Sequence, residues 1–74
     1  MNIDELIAAF KNLIQTDEVV SADTPLQQIK AYDSLSKLIL MSWLQEEFAI
    51  KITARELGSL NTLNDLLKRI QHAS

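Results

Sequence analysis

Apolar residues recur at helical spacing in three separate segments of the 74-residue chain, and this pattern restricts the fold more than any other feature. Spacings of three and four residues place side chains on one face of an α-helix, and that face has to be buried. The pattern predicts helices from about Ile3 to Gln15, from Ser34 to Phe48, and from just after Thr62 onwards. One glycine and one proline are too few for a turn-rich all-β fold.

Capping residues indicate where the helices begin and end. Asn2 with Glu5, and Thr53 with Glu56, fit the capping box, in which two residues satisfy backbone N–H groups reciprocally. The helix after Thr53 is short, because Gly58 is suited to end it in the left-handed conformation. We therefore expect an all-α fold, a small four-helix bundle of three main helices and one short helix. The predicted core faces consist of Ile3, Leu6, Ile7, Phe10, Leu13 and Ile14, then Leu40, Met41, Leu44 and Phe48, then Leu63, Leu66, Leu67 and Ile70.

A long connection, from Thr16 to Tyr32, separates the first two helices. Pro25 keeps Thr24 out of helical geometry, and a short turn of helix can follow from Leu26 to Ile29. A loop of this length in a small domain is usually functional or is held down by its own side chains. The apolar side chains that we expect to pack this loop onto the bundle are Val19, Val20, Leu26 and Ile29.

The length and net charge of the chain restrict its domain organisation and the classes of partner it can bind. The chain is short enough to be one domain, residues 1–74, and has no cysteine for a disulfide or a thiolate metal site. A net charge of -3 without a basic cluster would repel nucleic acid. Asp4 and Glu5 do not fit a signal peptide, and the longest apolar run, from Leu38 to Met41, cannot span a bilayer. We expect a soluble, cytoplasmic monomer with no nucleic-acid or membrane partner.

The sequence offers no catalytic or metal-binding constellation. The lone histidine, His72, stands near the end of the chain, where a frayed residue is a better explanation than a catalytic base. Glu46 and Glu47 are adjacent and diverge by roughly 100° around a helix, so they do not form a chelate. One glycine cannot build a phosphate-binding loop. We expect no metal and no enzymatic activity.

The second predicted helix is apolar on two faces. Leu35, Leu38 and Ile39 lie largely opposite its core face, where a surface helix should be polar. They predict a small exposed patch for docking, beside the start of the helix at Ser34. Alternatively, the preceding loop folds over and covers them. The same side of the helix carries Ser42, Gln45 and Glu46.

Ser34 stands where this helix begins, so its hydroxyl should point out of the helix end. A serine in this place is commonly an N-cap. Free backbone N–H groups at a helix start would also favour a phosphate attached there. The negative charge of Asp33 opposes a phosphate slightly. These features are compatible with an attached phosphate without identifying it.

The chain resembles the acyl carrier and peptidyl carrier proteins over nearly its whole length. The resemblance rests on the triplet Asp33-Ser34-Leu35, on the run from Leu44 to Ile52 with its Glu-Glu-Phe, and on the helix start from Asn61 to Leu66. The triplet alone would be a weak indicator of the family. Because the other two motifs follow it at the right distance, the combined pattern is specific for the family.

This resemblance implies that Ser34, between Asp33 and Leu35, receives 4′-phosphopantetheine from coenzyme A through a phosphopantetheinyl transferase. The thiol of the arm would carry an acyl or aminoacyl group as a thioester. The protein would then tether this intermediate for a loading enzyme and a downstream synthase or transferase. In this family, residues around the arm contact the partners. The corresponding positions here are Leu35, Leu38, Ile39, Ser42 and Glu46.

Departures from the family pattern leave the subclass open. Lys30-Ala31-Tyr32 stands where many relatives have glycine, and Ser36, Lys37, Ile39 and Gln45 stand where fatty-acid carriers are usually acidic. We therefore expect a dedicated secondary-metabolite or aminoacyl partner. The cargo, the loading enzyme, and a stand-alone or excised origin stay open. The alternative function is an unmodified helical module that binds a partner through the exposed apolar face of the second helix.

Overall fold

The computed structural model describes residues 1–73, which form four α-helices and no strand. The helices are α1 (Ile3–Ile14), α2 (Ser34–Phe48), α3 (Ala54–Gly58) and α4 (Leu63–Ala73), with a 3₁₀ helix (Leu26–Gln28) between α1 and α2. Helix α1 packs against α2 and α4, and α2 packs against α3. The predicted bundle, with one short helix and a long first connection, is confirmed.

Both predicted capping boxes are present. The Asn2 side chain accepts the Glu5 N–H at 2.8 Å, and the Glu5 carboxylate accepts the Asn2 N–H at 3.0 Å. Thr53 and Glu56 make the same reciprocal pair at the start of α3. These bonds satisfy donors that have no partner inside the helix, which is why both helices begin where the sequence predicts.

The prediction that Gly58 ends α3 in the left-handed conformation is wrong. Gly58 has no positive φ, and the capping residue is Ser59, in the right-handed region at φ -81°. The Ser59 hydroxyl donates to the Glu56 carbonyl at 2.6 Å, so the end of α3 is satisfied without a left-handed residue. Left-handed caps occur instead at Gln15 (φ 53°) and Ala49 (φ 56°), and α1 therefore ends one residue earlier than predicted.

One apolar core joins the helices. Leu40 and Leu44 are fully buried as predicted, whereas Met41 and Phe48 are half-buried at its edge. Trp43 is also half-buried and meets Phe48 edge-on, with ring centroids 5.3 Å apart. The other buried apolar side chains are Leu6, Phe10, Ile14, Val20, Leu26, Ile29, Ile50, Ile52, Leu57, Leu63, Leu66 and Ile70.

Hydrogen bonds hold the long connection against the start of α4. The Leu26 N–H donates to the Asn61 carbonyl at 2.8 Å, and the Asn64 N–H donates to the Ala22 carbonyl at 3.2 Å. Asn64 also donates through its side chain to the Asp23 carboxylate at 2.7 Å. The loop is therefore fixed at its middle, and its far end enters α2 in a defined position.

Three of the four apolar loop residues predicted to pack on the bundle are buried, namely Val20, Leu26 and Ile29. The prediction is wrong for Val19, which is 90% exposed. Of the two adjacent valines, only Val20 faces the core.

Candidate functional site

Helix α2 begins at Ser34, but its N-cap is Asp33. The Asp33 carboxylate accepts the Ser36 N–H at 2.9 Å, and the Asp33 carbonyl accepts the Lys37 N–H at 3.0 Å. These two bonds close the first helical turn. The Ser34 side chain is exposed, and its hydroxyl has no hydrogen-bond partner among residues 1–73. Because Asp33 caps the helix, the Ser34 hydroxyl is left available to a reagent from solvent.

The cap also sets the charge beside Ser34. The Ser36 backbone N–H is the main cause of a lowered pKa at Asp33, so this carboxylate stays ionised to a lower pH than an unpaired aspartate. The same bond occupies one of the donors that were expected to be free for a phosphate. The expectation of free backbone N–H groups is therefore wrong for the Ser36 amide, which is bonded to Asp33. The positive end of the helix dipole remains at the start of α2.

Ser36 is buried, a position that was not expected from the sequence. Its side chain is 7% exposed, and its hydroxyl donates to the Ala31 carbonyl at 2.6 Å. The missed signal was position, since Ser36 lies one and two turns before the core residues Leu40 and Leu44. Of the two serines in this first turn, only Ser34 can be reached from solvent.

Glu18, which was not predicted to belong to the site, binds the backbone of the segment that leads into α2. Its carboxylate accepts the N–H groups of Lys30 at 2.9 Å and Ala31 at 3.0 Å, and the Thr16 hydroxyl at 2.9 Å. The bond from Lys30 is the largest cause of a lowered pKa at Glu18. These backbone partners lie 12 and 13 positions away, so no local pattern could have predicted them.

Tyr32 and Lys37 complete the surroundings of Ser34. The Tyr32 ring packs against Phe10 with centroids 5.6 Å apart, and burial raises the pKa of its hydroxyl, which has no partner among the described residues. The Lys37 ammonium lies 5.5 Å from the centre of the Tyr32 ring, a cation–π contact. Lys37 follows Ser34 by three positions, which places both on one side of the helix. Within residues 1–73, it makes no ion pair.

The five predicted partner-contact residues share one exposed side of α2, which we call the α2 stripe. Leu35 is 66% exposed, Leu38 60% and Ile39 38%, and Ser42 and Glu46 are exposed as well. Their spacings of three and four positions align them along the helix. The loop does not cover them, so the alternative of a covered apolar face is wrong.

In the part of the chain that the structure describes, neither a metal-ligand cluster nor a membrane span is found. No group of three or more His, Asp or Glu side chains is arranged to hold an ion. No helix combines the length and apolarity that crossing a bilayer requires. His72 is exposed in α4.

Residues 4–70, which include Ser34 and all of α2, match a known protein family described as the phosphopantetheine attachment site. A solved structure from Mycobacterium tuberculosis, assigned as an acyl carrier protein, has a similar fold. It aligns with a TM-score of 0.75 and 25% sequence identity over 93% of each chain. Among curated proteins, none matches this sequence.

Proposed function

We infer that this chain, which belongs to the phosphopantetheine attachment family, carries its 4′-phosphopantetheine group on Ser34. Carrier proteins of this type hold the group covalently and are not enzymes. The observation that supports Ser34 is its exposed hydroxyl without a hydrogen-bond partner, at the first residue of α2. The neighbouring Ser36 hydroxyl is buried against the Ala31 carbonyl and is a poor acceptor for a bulky donor.

The residues around Ser34 suit a phosphodiester there. The positive end of the α2 dipole and the Lys37 ammonium, which makes no ion pair within residues 1–73, both favour negative charge. Asp33 opposes it, but its carboxylate is turned to the Ser36 amide. When bound, the group supplies a terminal thiol that holds the cargo as a thioester.

The remaining residues keep the attachment point fixed. Asp33 closes the first turn of α2, and Glu18 holds the two backbone amides that precede Tyr32. Cargo attached through Ser34 therefore moves from a defined anchor. Tethering of this kind raises the local concentration of cargo at a partner enzyme to about the millimolar range.

Carriers of this family work with a phosphopantetheinyl transferase and with acyl-handling enzymes. We propose that such partners dock on the α2 stripe, with Leu35, Leu38 and Ile39 as its apolar contacts. In the first turns of α2 the only charged side chain is Lys37, without an acidic residue. This favours a partner with an apolar docking face, and hence a dedicated secondary-metabolite or aminoacyl pathway over general fatty-acid synthesis.

Transfer from coenzyme A tests this proposal. The purified chain is incubated with coenzyme A and a promiscuous transferase, and its intact mass is measured. We expect one phosphopantetheine per chain, lost in Ser34→Ala and retained in Ser36→Ala, which is the matched control. No addition to the wild-type chain with several transferases would contradict the proposal.

The exposed α2 stripe also supports the second candidate, an unmodified module that binds a partner helix. The two functions differ in which variant abolishes partner binding. For the unmodified module, Leu38→Glu abolishes binding and Ser34→Ala has no effect. For the carrier, Ser34→Ala removes all cargo transfer, whereas Leu38→Glu weakens only docking.

A further inference from the structure

Lys37 is the only basic residue of α2, and its side chain is half-buried. It follows Ser34 by three positions, so the two side chains leave the helix on the same side. Long side chains in a helix point back towards its N-terminus. The Lys37 ammonium does so here, because it lies 5.5 Å from the ring centre of Tyr32, a residue that precedes the helix. The positive charge is therefore directed towards the start of α2, where Ser34 lies.

No ion pair determines this position of the Lys37 ammonium. Asp33 precedes Lys37 by four positions, a spacing at which Asp and Lys commonly pair on a helix. Among the described residues, however, Lys37 makes no ion pair, and the Asp33 carboxylate accepts the Ser36 N–H at 2.9 Å instead. The ammonium lies over the Tyr32 ring, which packs in turn against Phe10 with centroids 5.6 Å apart. A positive charge is thus held close to the attachment residue without a counter-ion from this part of the chain.

We propose that Lys37 binds the phosphodiester of the arm on Ser34, and that Tyr32 is a positioning residue that holds the Lys37 ammonium for this contact. The inference rests on the proposed attachment to Ser34 and replaces a general attraction with one specific hydrogen bond. In this bond the ammonium donates to a phosphate oxygen. Hydrogen bonds between two charged groups are shorter and stronger than those between neutral groups.

The packing of Lys37 lowers the entropic cost of this contact. An exposed lysine loses rotamer freedom when it forms an ion pair, which is why many surface ion pairs contribute little to stability. Lys37 has already lost part of that freedom, because it is half-buried and lies over the Tyr32 ring. Lys30, in the segment before α2, is exposed and is not held over an aromatic ring. Of these two lysines, Lys37 is therefore the one prepared to bind a phosphate.

The contact also balances the charge at the start of α2. Asp33 already places a carboxylate there, and a phosphodiester on the next residue adds a second negative charge. Pairing with Lys37 offsets the repulsion between the two. Lys37 therefore fixes the phosphate end of the arm, on the side of the helix that Ser34 and Lys37 share.

Phosphorus NMR of the holo protein tests this contact. The phosphodiester resonance is compared in the wild type, Lys37→Gln and Lys30→Gln, after intact mass has shown one phosphopantetheine on each. We expect a changed resonance in Lys37→Gln and the wild-type resonance in Lys30→Gln, the matched control that also loses one positive charge. Raising the salt concentration to about 1 M, where charges are screened beyond about 3 Å, should move the wild-type resonance towards that of Lys37→Gln.

Further variants separate the charge of Lys37 from its place in the structure. Lys37→Arg keeps the positive charge and should restore the salt dependence, which a merely structural role would not require. Lys37→Met, which keeps an apolar stem, replaces Lys37→Gln if circular dichroism shows that the latter does not fold. Tyr32→Phe keeps the ring and should behave as the wild type, whereas Tyr32→Leu should reduce the salt dependence.

Three results would count against the proposals, and each identifies a different one. Full mass addition with one resonance shared by the wild type and Lys37→Gln, or with equal changes in Lys37→Gln and Lys30→Gln, would overturn this inference alone. Equal salt dependence in the wild type and Tyr32→Leu would overturn the positioning role of Tyr32. Absence of mass addition would overturn the attachment proposal and this inference together.

Discussion

Replacing Ser36 with alanine removes a buried hydroxyl and leaves Ser34 in place. The Ser36 side chain is 7% exposed, and its oxygen lies 2.6 Å from the Ala31 carbonyl oxygen to which it donates. Alanine removes only the oxygen, so the surrounding packing changes little. The variant therefore removes the bond that joins α2 to the segment before it, together with the contribution of the Ser36 hydroxyl to the lowered pKa of Asp33.

The size of the stability loss depends on the hydrogen bond that the Ala31 carbonyl retains in the variant. A hydrogen bond of this kind contributes about 0.5–1.5 kcal/mol to the free energy of unfolding. The Ala31 carbonyl also accepts the Asp33 N–H at 3.2 Å, so it does not become an unpaired acceptor. Alanine is the better helix former, which offsets a few tenths of this loss. We expect a net loss of about 0.2–1.2 kcal/mol, which lowers Tm by roughly 1–10 °C in a chain of this size.

Urea unfolding measures this loss directly. Trp43, the only tryptophan, is half-buried against Phe48 and reports unfolding by fluorescence. The midpoint should fall with no change in the m-value, since the same surface is exposed on unfolding. Ser42→Ala is the control, because Ser42 is an exposed serine of the same helix. Equal stability of the two variants would refute the assignment of Ser36 as a buried structural donor.

Other contacts lead to further predictions, all measured by the same unfolding assay. Glu18→Gln should lower stability near neutral pH, because the N–H groups of Lys30 and Ala31 lose a charged acceptor. Folding lowers the pKa of Glu18, so its advantage is present above its usual pKa of about 4.3 and is lost as pH falls through the folded-state pKa. Tyr32→Phe should leave stability unchanged or raise it, because it removes a buried hydroxyl without a partner. Leu44→Ala should cost about 2–5 kcal/mol, because Leu44 is 0% exposed.

Each of these predictions has an outcome that counts against it. A Glu18→Gln deficit that grows towards low pH would contradict the lowered pKa of Glu18. A loss of more than about 1 kcal/mol in Tyr32→Phe would mean that the hydroxyl has a partner after all. Leu38→Ala is the control for Leu44→Ala, and equal losses in the two variants would contradict the placement of Leu44 in the core.

The helices could be predicted because their signals are local. The spacing of apolar residues predicted the three long helices, and α2 runs from Ser34 to Phe48 as predicted. Asn2 and Thr53 fixed two helix starts, because a capping side chain bonds only two or three residues away. The α2 stripe followed from the same periodicity, which left apolar side chains opposite the core face.

The details around Ser34 depended on contacts that are distant or hidden in sequence. The hydrogen bonds from the Lys30 and Ala31 N–H groups to the Glu18 carboxylate join residues 12 and 13 positions apart, and no periodic pattern encodes them. Ser36 occupies a core position with a polar side chain, so the apolar pattern of α2 did not include it. Gly58 had the right residue type for a left-handed cap, but the Ser59 hydroxyl satisfies that helix end instead.

The position of phosphopantetheine in the wild-type chain tests the central claim most directly. After transfer from coenzyme A, the protein is digested, and the modified peptide is fragmented in a mass spectrometer. The exposed hydroxyl at the start of α2 predicts that the added mass lies on Ser34 alone. Added mass on Ser36, Ser42 or any other residue would contradict it.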